Sequence, residues 1–319
     1  MKVFTSIDEI PKIQNVVVSQ GTFDGVHKAH KVILSRLKEI AANQNGETLL
    51  ITFEPHPRMV LFPNDHGLKL LNTQEEKIEL LNSVGIDNLL VIPFTKDFSR
   101  QSSLQFIRDV VVEKIGAKVL VVGYDHRFGK NREGSFENLQ EYSNLYGFDL
   151  VRIPEQDVEN VAVSSSKIRS ALLIGDIEQA TKYLDRFYSI EGKVIEGKKL
   201  GRTLGFPTAN IKVVDENKLI PADGIYAVNV FIHKKQYGGM MNIGNNPTIA
   251  NKGRSLEVNI FEFDESIYNE KIKIEFVDKL RDEIKFDSIS ELQSQLIKDK
   301  LQATEVLKKY NSVVFDTDY

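Results

Sequence analysis

The chain predicts a doubly wound α/β domain followed by an antiparallel β-barrel with a C-terminal helix. Three observations carry this. Up to about residue 184, short continuous apolar runs alternate with helical patterns; from Tyr188 strand-like stretches follow one another with no helix between them; and Ile289–Tyr310 is apolar at 289, 292, 296, 297, 301 and 307, a helical spacing.

In the first half the strand candidates are Asn15–Ser19, Thr48–Phe53, Asn88–Phe94, Lys118–Gly123 and Phe148–Pro154. Their apolar residues are continuous rather than alternating, as in a parallel sheet covered on both faces. Helices are expected between them at His30–Asn43, Thr73–Val84, Ser103–Ile115 and Ser135–Tyr146, the second opening with the capping-box spelling Thr73-x-x-Glu76. Two more are expected near Ser166–Leu173 and Ile177–Leu184. Barrel strands are expected at Ser189–Ile195, Ile225–Ile232, Tyr237–Ile243, Leu256–Phe263 and Lys271–Val277, several alternating apolar and polar residues. With 319 residues, two domains are expected, residues 1–186 and 187–319.

Composition narrows the function. Balanced charge, 41 basic against 45 acidic residues, gives no global field for nucleic acid or an anionic membrane. No cysteine is present, which excludes disulfides, zinc–thiolate sites, iron–sulfur clusters and thiol nucleophiles. The N-terminal stretch is too polar for a signal peptide, and no apolar run reaches the length of a membrane span, so a cytoplasmic protein is expected. The sequence sets no oligomeric state.

Two constellations carry chemistry. Gly21-Thr-Phe-Asp-Gly-Val-His-Lys-Ala-His30 lies between the first predicted strand and a helix, where α/β sheets present ligands. His27 and His30, three apart, share a helix face; the pair suits a triphosphate and the charge on a transferring phosphorus, or simply caps the helix. Ser164, Ser165 and Ser166 precede a helix and offer donors to phosphate, and Arg169 can fork onto one; an ordinary capped helix has the same composition. Asp125 follows a strand and is either a ribose or adenine acceptor or a turn residue. Pro55, His56 and Pro57 stiffen a loop.

In the second half, Gly192-Lys-Val-Ile-Glu-Gly-Lys-Lys-Leu-Gly-Arg-Thr-Leu-Gly-Phe-Pro-Thr-Ala-Asn210 holds a flexible basic loop with Gly197, Gly201, Arg202 and Gly205. It lacks the ending of a Walker loop. Thr208 and Asn210, two apart, project the same way in a strand and are hard oxygen ligands suited to Mg²⁺ beside ATP phosphates. Leu256, Val258 and Ile260 face one side of their strand, so Glu257 faces the other.

These residues resemble a known family. The Gly21–His30 segment is similar to the nucleotidyltransferases with a His-x-Gly-His signature, and more closely to the N-terminal half of bacterial bifunctional riboflavin kinase/FAD synthetases. Thr52–Pro57, Gly123–Gly134 and Val163–Arg169 resemble that family's following motifs in order. Gly201–Asn210 resembles the flavokinase signature nearly letter for letter, and Met241–Thr248, Leu256–Phe263 and Leu280–Phe286 resemble its later segments.

The resemblance implies a Rossmann-like FMN adenylyltransferase domain and a flavokinase barrel, with ATP, riboflavin, FMN and FAD as ligands and Mg²⁺ as the metal. It implies Glu257 as the base acting on the ribityl hydroxyl, with His27 and His30 catalytic in the other half. It places nucleotide on Gly21, Phe23, Asp24, Gly25, Asp125, Ser164, Ser165, Ser166, Arg169, Gly197, Gly201, Arg202 and Gly205. It places flavin on Pro55, His56, Pro57, Asn242 and Arg281, and metal on Thr208 and Asn210. Three positions depart from the pattern: Ala29 stands where the family has glycine, His126 where it has an aromatic, and Asn259 where histidine is common. Ala29 leaves open a kinase with a weak or inactive adenylyltransferase half, and a non-enzymatic flavin sensor is a further alternative.

Overall fold

The computed structural model describes residues 1–64, 67–124, 127–130, 133–154, 163–197, 200–245 and 254–311. The chain divides into two compact units, Met1–Ser164 and Ser165–Tyr319.

The first unit is a parallel sheet of β1 (Lys2–Phe4), β2 (Val17–Gln20), β3 (Thr48–Glu54), β4 (Asn88–Pro93), β5 (Val119–Val122) and β6 (Asp149–Arg152), in the order β1-β4-β3-β2-β5-β6. Strand β1 pairs in parallel with β4 and escaped the sequence reading. It is three residues long with Lys2 and Val3 exposed, so it carries no apolar run to detect. The sheet buries both faces, as the continuous apolar strands require. Val18, Leu49, Ile51 and Leu90 pack on one side, and Val17, Leu50, Leu89 and Val121 on the other.

The flanking helices are α1 (Lys28–Asn43), α2 (Pro57–Leu61), α3 (Gln74–Ser83), α4 (Ser103–Gln105, continuing as a π-wound segment over Phe106–Lys114) and α5 (Phe136–Tyr146). Leu34 and Leu37 of α1 and Leu81 of α3 cover one face of the sheet; Phe106, Ile107 and Val110 cover the other. The Thr73–Glu76 capping box forms: Glu76 N–H donates to Thr73 Oγ1 at 3.2 Å and Thr73 N–H to Glu76 Oε2 at 2.9 Å. Strand order reverses at β2, whose neighbours β3 and β5 lead in opposite directions. The crevice at the carboxyl end of such a strand is where doubly wound sheets hold ligands.

The second unit opens with α6 (Ser165–Ile174) and α7 (Ile177–Leu184). A closed barrel follows, made of β7 (Tyr188–Ile195), β8 (Ala209–Lys212), β9 (Gly224–Ile232), β10 (Lys235–Asn245), β11 (Arg254–Ile260) and β12 (Lys271–Arg281), ordered β10-β11-β8-β7-β12-β9. Every pairing is antiparallel. A one-turn helix, α8 (Leu200–Thr203), sits in the glycine-rich loop, and α9 (Ile289–Asn311) ends the described chain.

Helix α9 buries a different stripe from the one its apolar spacing suggested. Ala303 and Leu307 are buried and Leu296, Val306 and Tyr310 pack with them, while Ile289, Ile297 and Leu301 are exposed. The buried face runs through Asp299, which is 1% exposed and paired with Arg281. A charged residue inside the stripe hides it from any count of apolar positions.

Candidate active sites

The Gly21–His30 segment is the turn from β2 into α1, at the reversal of strand order. Helix α1 begins at Lys28, two residues before the predicted start, because His27 caps it: Nδ1 accepts the His30 N–H at 3.4 Å. In the neutral tautomer that this bond requires, the ring proton sits on Nε2. The His27 and His30 rings stack at 3.6 Å between centroids and 13° between planes, with the Phe23 ring edge-on to His30 at 5.1 Å.

The loop is held in an unusual backbone conformation. Phe23 has φ 46° and Val26 φ 38°, rare values for an aromatic and a β-branched residue. Such strain persists only where surroundings over-determine it. Here Gly21 N–H donates to Ile51 O at 3.0 Å, and Thr52 Oγ1 to Thr22 O at 3.3 Å. Asp24, 2% exposed, accepts the N–H groups of Leu71 and Asn72 at 2.9 and 3.3 Å. Asp24 thus shapes the loop from below and Gly25 turns it. Lys77 is also buried at this place; burial lowers its ammonium below the ordinary lysine range, opposed through space by Asp24 and Glu54.

Ala29 lies in the first turn of α1, buried and with helical backbone. No left-handed conformation is needed there, so the methyl introduces no backbone strain. Pro55, His56 and Pro57 lead from β3 into α2: His56 is the cap, its Nδ1 accepting the Arg58 N–H at 3.2 Å, and Pro57 is the first helical residue. Sequence reading missed an aromatic ladder that starts at the carboxyl ends of β3 and β4. Phe53, Phe94, Phe98, Phe106 and Phe128 meet in successive contacts of 5.5–6.2 Å. Phenylalanines directly following apolar runs were the available signal.

Asp125 lies outside the described residues. Ser164 closes the first unit, whereas Ser165, Ser166 and Arg169 belong to α6, which opens the second.

In the barrel, Thr208, Asn210 and Glu257 come together. Glu257 on β11 is the direct partner of Asn210 on β8, and Thr208 Oγ1 donates to Glu257 Oε2 at 3.3 Å. Leu256, Val258 and Ile260 are buried on the opposite face, as the alternation required. Asn259, also buried, donates from Nδ2 to Pro207 O at 2.7 Å and fixes the approach to Thr208. The glycines of the preceding loop are needed for close approach. A Cβ on Gly197 would lie 2.0 Å from Asn210 Nδ2, and one on Gly201 2.3 Å from Phe206 O. Gly205 turns the loop. Beside Thr208 opens a cavity of about 310 Å³, lined among others by Val194, Arg202, Pro207, Val258, Phe263 and Tyr268. Its lining is mixed: apolar walls together with the Arg202 guanidinium and Asp264, Glu265 and Ser266, apolar surface with a few polar groups as in small-molecule sites.

Asn242 on β10 is the direct partner of Glu257 on its other side. Arg281, expected on the flavin, is engaged elsewhere. Its Nε and Nη2 donate to the two Asp299 oxygens at 2.9 and 2.7 Å, and Nη1 donates to Asp282 O at 2.9 Å. The bidentate pair anchors the end of β12 to α9. Arg281→Ala leaves the buried Asp299 carboxylate without its counter-ion, which costs about 3 kcal/mol. The expected result is a lower Tm with flavin affinity preserved in the protein that remains folded; unchanged thermal unfolding would remove the anchor from this description.

No cluster of three His, Cys, Asp or Glu side chains forms among the described residues. Thr208 and Asn210 fit a metal of another kind. Mg²⁺ keeps several waters and takes one or two protein oxygens alongside substrate phosphates.

Comparison with known proteins agrees with this geometry. The family model of FAD synthetase matches residues 9–167 and that of riboflavin kinase residues 184–307. A bifunctional riboflavin kinase/FMN adenylyltransferase of Buchnera aphidicola subsp. Schizaphis graminum is 39% identical over 98% of this chain and 100% of its own length. The protein of that name from Escherichia coli K12 is 35% identical over 92% of this chain and 93% of its own. A crystal structure from Streptococcus pneumoniae superposes with a TM-score of 0.84 at 30% identity, over 95% of this chain and 98% of that one. That protein is described as a macrolide-efflux protein; here, among the described residues, no helix is long and apolar enough to cross a membrane. Two matching family models in succession, with relatives aligned through both, place this chain in the family of bifunctional riboflavin kinases/FMN adenylyltransferases.

Proposed function

We propose that the chain makes FAD from riboflavin in two ATP-dependent steps, one in each half. The barrel transfers the γ-phosphoryl group of ATP to the ribityl 5′ hydroxyl, giving FMN and ADP. The α/β half transfers AMP from a second ATP to the FMN phosphate, giving FAD and pyrophosphate. The observation that carries the kinase half is the Thr208–Glu257–Asn210 cluster, with a cavity of about 310 Å³ opening beside Thr208. The strained loop with its stacked histidines supports the adenylyltransferase half.

Both reactions are in-line displacements at phosphorus, where catalysis is positioning plus charge stabilisation. In the barrel, Glu257 orients the ribityl hydroxyl and accepts its proton as the oxygen attacks. Thr208 and Asn210 would hold Mg²⁺, which when bound neutralises phosphate charge. Arg202 at the cavity edge and the loop through Gly197, Gly201 and Gly205 would cradle the nucleotide. In the α/β half, His27 Nε2–H and the His30 imidazole would meet charge developing on the transferring phosphate. Backbone N–H groups at the start of α1 add to that field. Asp125 and Ser164 complete the nucleotide set of this unit in this reading, with Phe23, Asp24 and Gly25 forming the loop and Pro55, His56 and Pro57 on the flavin side. The helical backbone at Ala29 favours an active adenylyltransferase over the weakened alternative.

We place the boundary between the activities at residues 186/187. Helices α6 and α7 belong to the same compact unit as the barrel, so the fragment that tests the division of labour runs from Ser165 to Tyr319. It is expected to convert riboflavin to FMN and to make no FAD from FMN. A folded fragment that binds ATP and riboflavin yet forms no FMN would contradict the assignment.

A further inference from the structure

Lys77 is a buried cation that the mechanism above leaves unused. It is 6% exposed, and its ammonium makes no hydrogen bond or ion pair among the described residues. Leaving a buried charge without a bonded partner is costly, and the exceptions point to a missing one. An ammonium only donates, so that partner is an acceptor, and an anion answers its charge as well.

The fold aims this group at the ligand side of the sheet. Helix α3 leads into β4, which lies parallel to β3, so the helix runs against both strands and its first turns lie near their carboxyl ends. Lys77 stands four residues before Leu81, which packs on the sheet, and so shares its face. Long side chains on a helix lean toward its N-terminus. The stem of Lys77 therefore lies against the sheet with the ammonium toward the carboxyl edge. There Asp24 and Glu54 act on it through space. Asp24 belongs to the strained loop from β2 into α1, and Glu54 ends β3 directly before Pro55, His56 and Pro57. The ammonium thus stands between the loop that takes ATP and the one on the flavin side in the reading above.

Adenylyl transfer supplies the anion. One oxygen of the FMN phosphate attacks the α-phosphorus of ATP; the new P–O bond forms as the bond to pyrophosphate breaks, and pyrophosphate leaves with that electron pair. The attacking phosphate is already ionised at neutral pH, so no base is needed. Two anions must approach each other at this step, and a fixed cation between the two loops lowers the cost. We propose that Lys77 Nζ binds the phosphate of FMN, donating to its non-attacking oxygens and holding it against the nucleotide loop. Burial alone weakens the ammonium's hold on its proton; a phosphate beside it restores the balance of charge. This inference rests on the adenylyltransferase reading above.

The test follows FAD formation by the full chain from FMN, ATP and Mg²⁺, reading KM for FMN and for ATP separately, together with thermal unfolding. Lys77→Met keeps the length of the side chain and removes its charge. Its KM for FMN is expected to rise about 10–100-fold, the scale of one hydrogen bond to a charged group, with KM for ATP close to wild type. Its Tm should stay equal or rise, because a buried charge has gone. Lys77→Arg, which keeps a cation, is expected to recover part of the loss. A KM for FMN at the wild-type value, or a loss that falls equally on ATP, overturns the proposal. So does a Lys77→Met chain that unfolds or melts earlier, which would make the lysine a structural counter-charge to Asp24. A wild-type chain that makes no FAD refutes the adenylyltransferase reading instead, so the two failures are distinguishable.

Discussion

Replacing Glu257 with glutamine is expected to lower FMN formation by about 10²–10⁴-fold, the range of a general base, while riboflavin still binds. Glutamine keeps the shape of the side chain and its place between Asn210 and Asn242, and can still accept from Thr208 Oγ1. What it loses is the charge and the capacity to take a proton. Thr208→Ala fails differently. It removes a hard oxygen from the proposed metal–nucleotide site, so higher Mg²⁺ and ATP should recover part of its activity and should recover none in Glu257→Gln. Steady-state FMN formation over a range of Mg²⁺·ATP checks both. Wild-type turnover by Glu257→Gln would reduce Glu257 to a strand residue of the barrel's outer face.

Replacing His27 or His30 with alanine is expected to reduce FAD formation about 10²–10³-fold, the cost of one preorganised donor in a phosphoryl-type transition state. FMN formation should be unaffected. His27→Ala also removes the cap of α1, worth about 1 kcal/mol. His27→Asn separates the two roles, because asparagine caps well and is a poor substitute for the imidazole. If His27→Asn restores FAD formation, the histidine is a cap and nothing more. Ala29→Gly is the companion: with the position already helical, FAD formation should stay equal or rise.

Much of this was legible in the sequence, for physical reasons. The parallel strands are continuous apolar runs because helices cover both sheet faces, and the barrel strands alternate because only one face meets the core. Glu257 stood out because Leu256, Val258 and Ile260 fix which way it points. Less legible were features made by tertiary contact. Strand β1 has no pattern of its own, and β8 begins inside the glycine-rich signature. The cap at His27 moved the start of α1 because histidine replaces the usual short polar side chain. Arg281 read as a substrate contact, and in the structure it pairs with Asp299, inside α9 and 18 residues further along the chain, a pairing that no local pattern announces. The buried ammonium of Lys77 is likewise visible only once α3 packs on the sheet.

The most direct test follows the flavins in time with the full chain, riboflavin, excess ATP and Mg²⁺, separating the products by chromatography. FMN should appear first and then decline as FAD accumulates, with pyrophosphate released in step with FAD. FMN that accumulates without FAD, or riboflavin that stays unchanged, would contradict a two-step synthesis on this one chain.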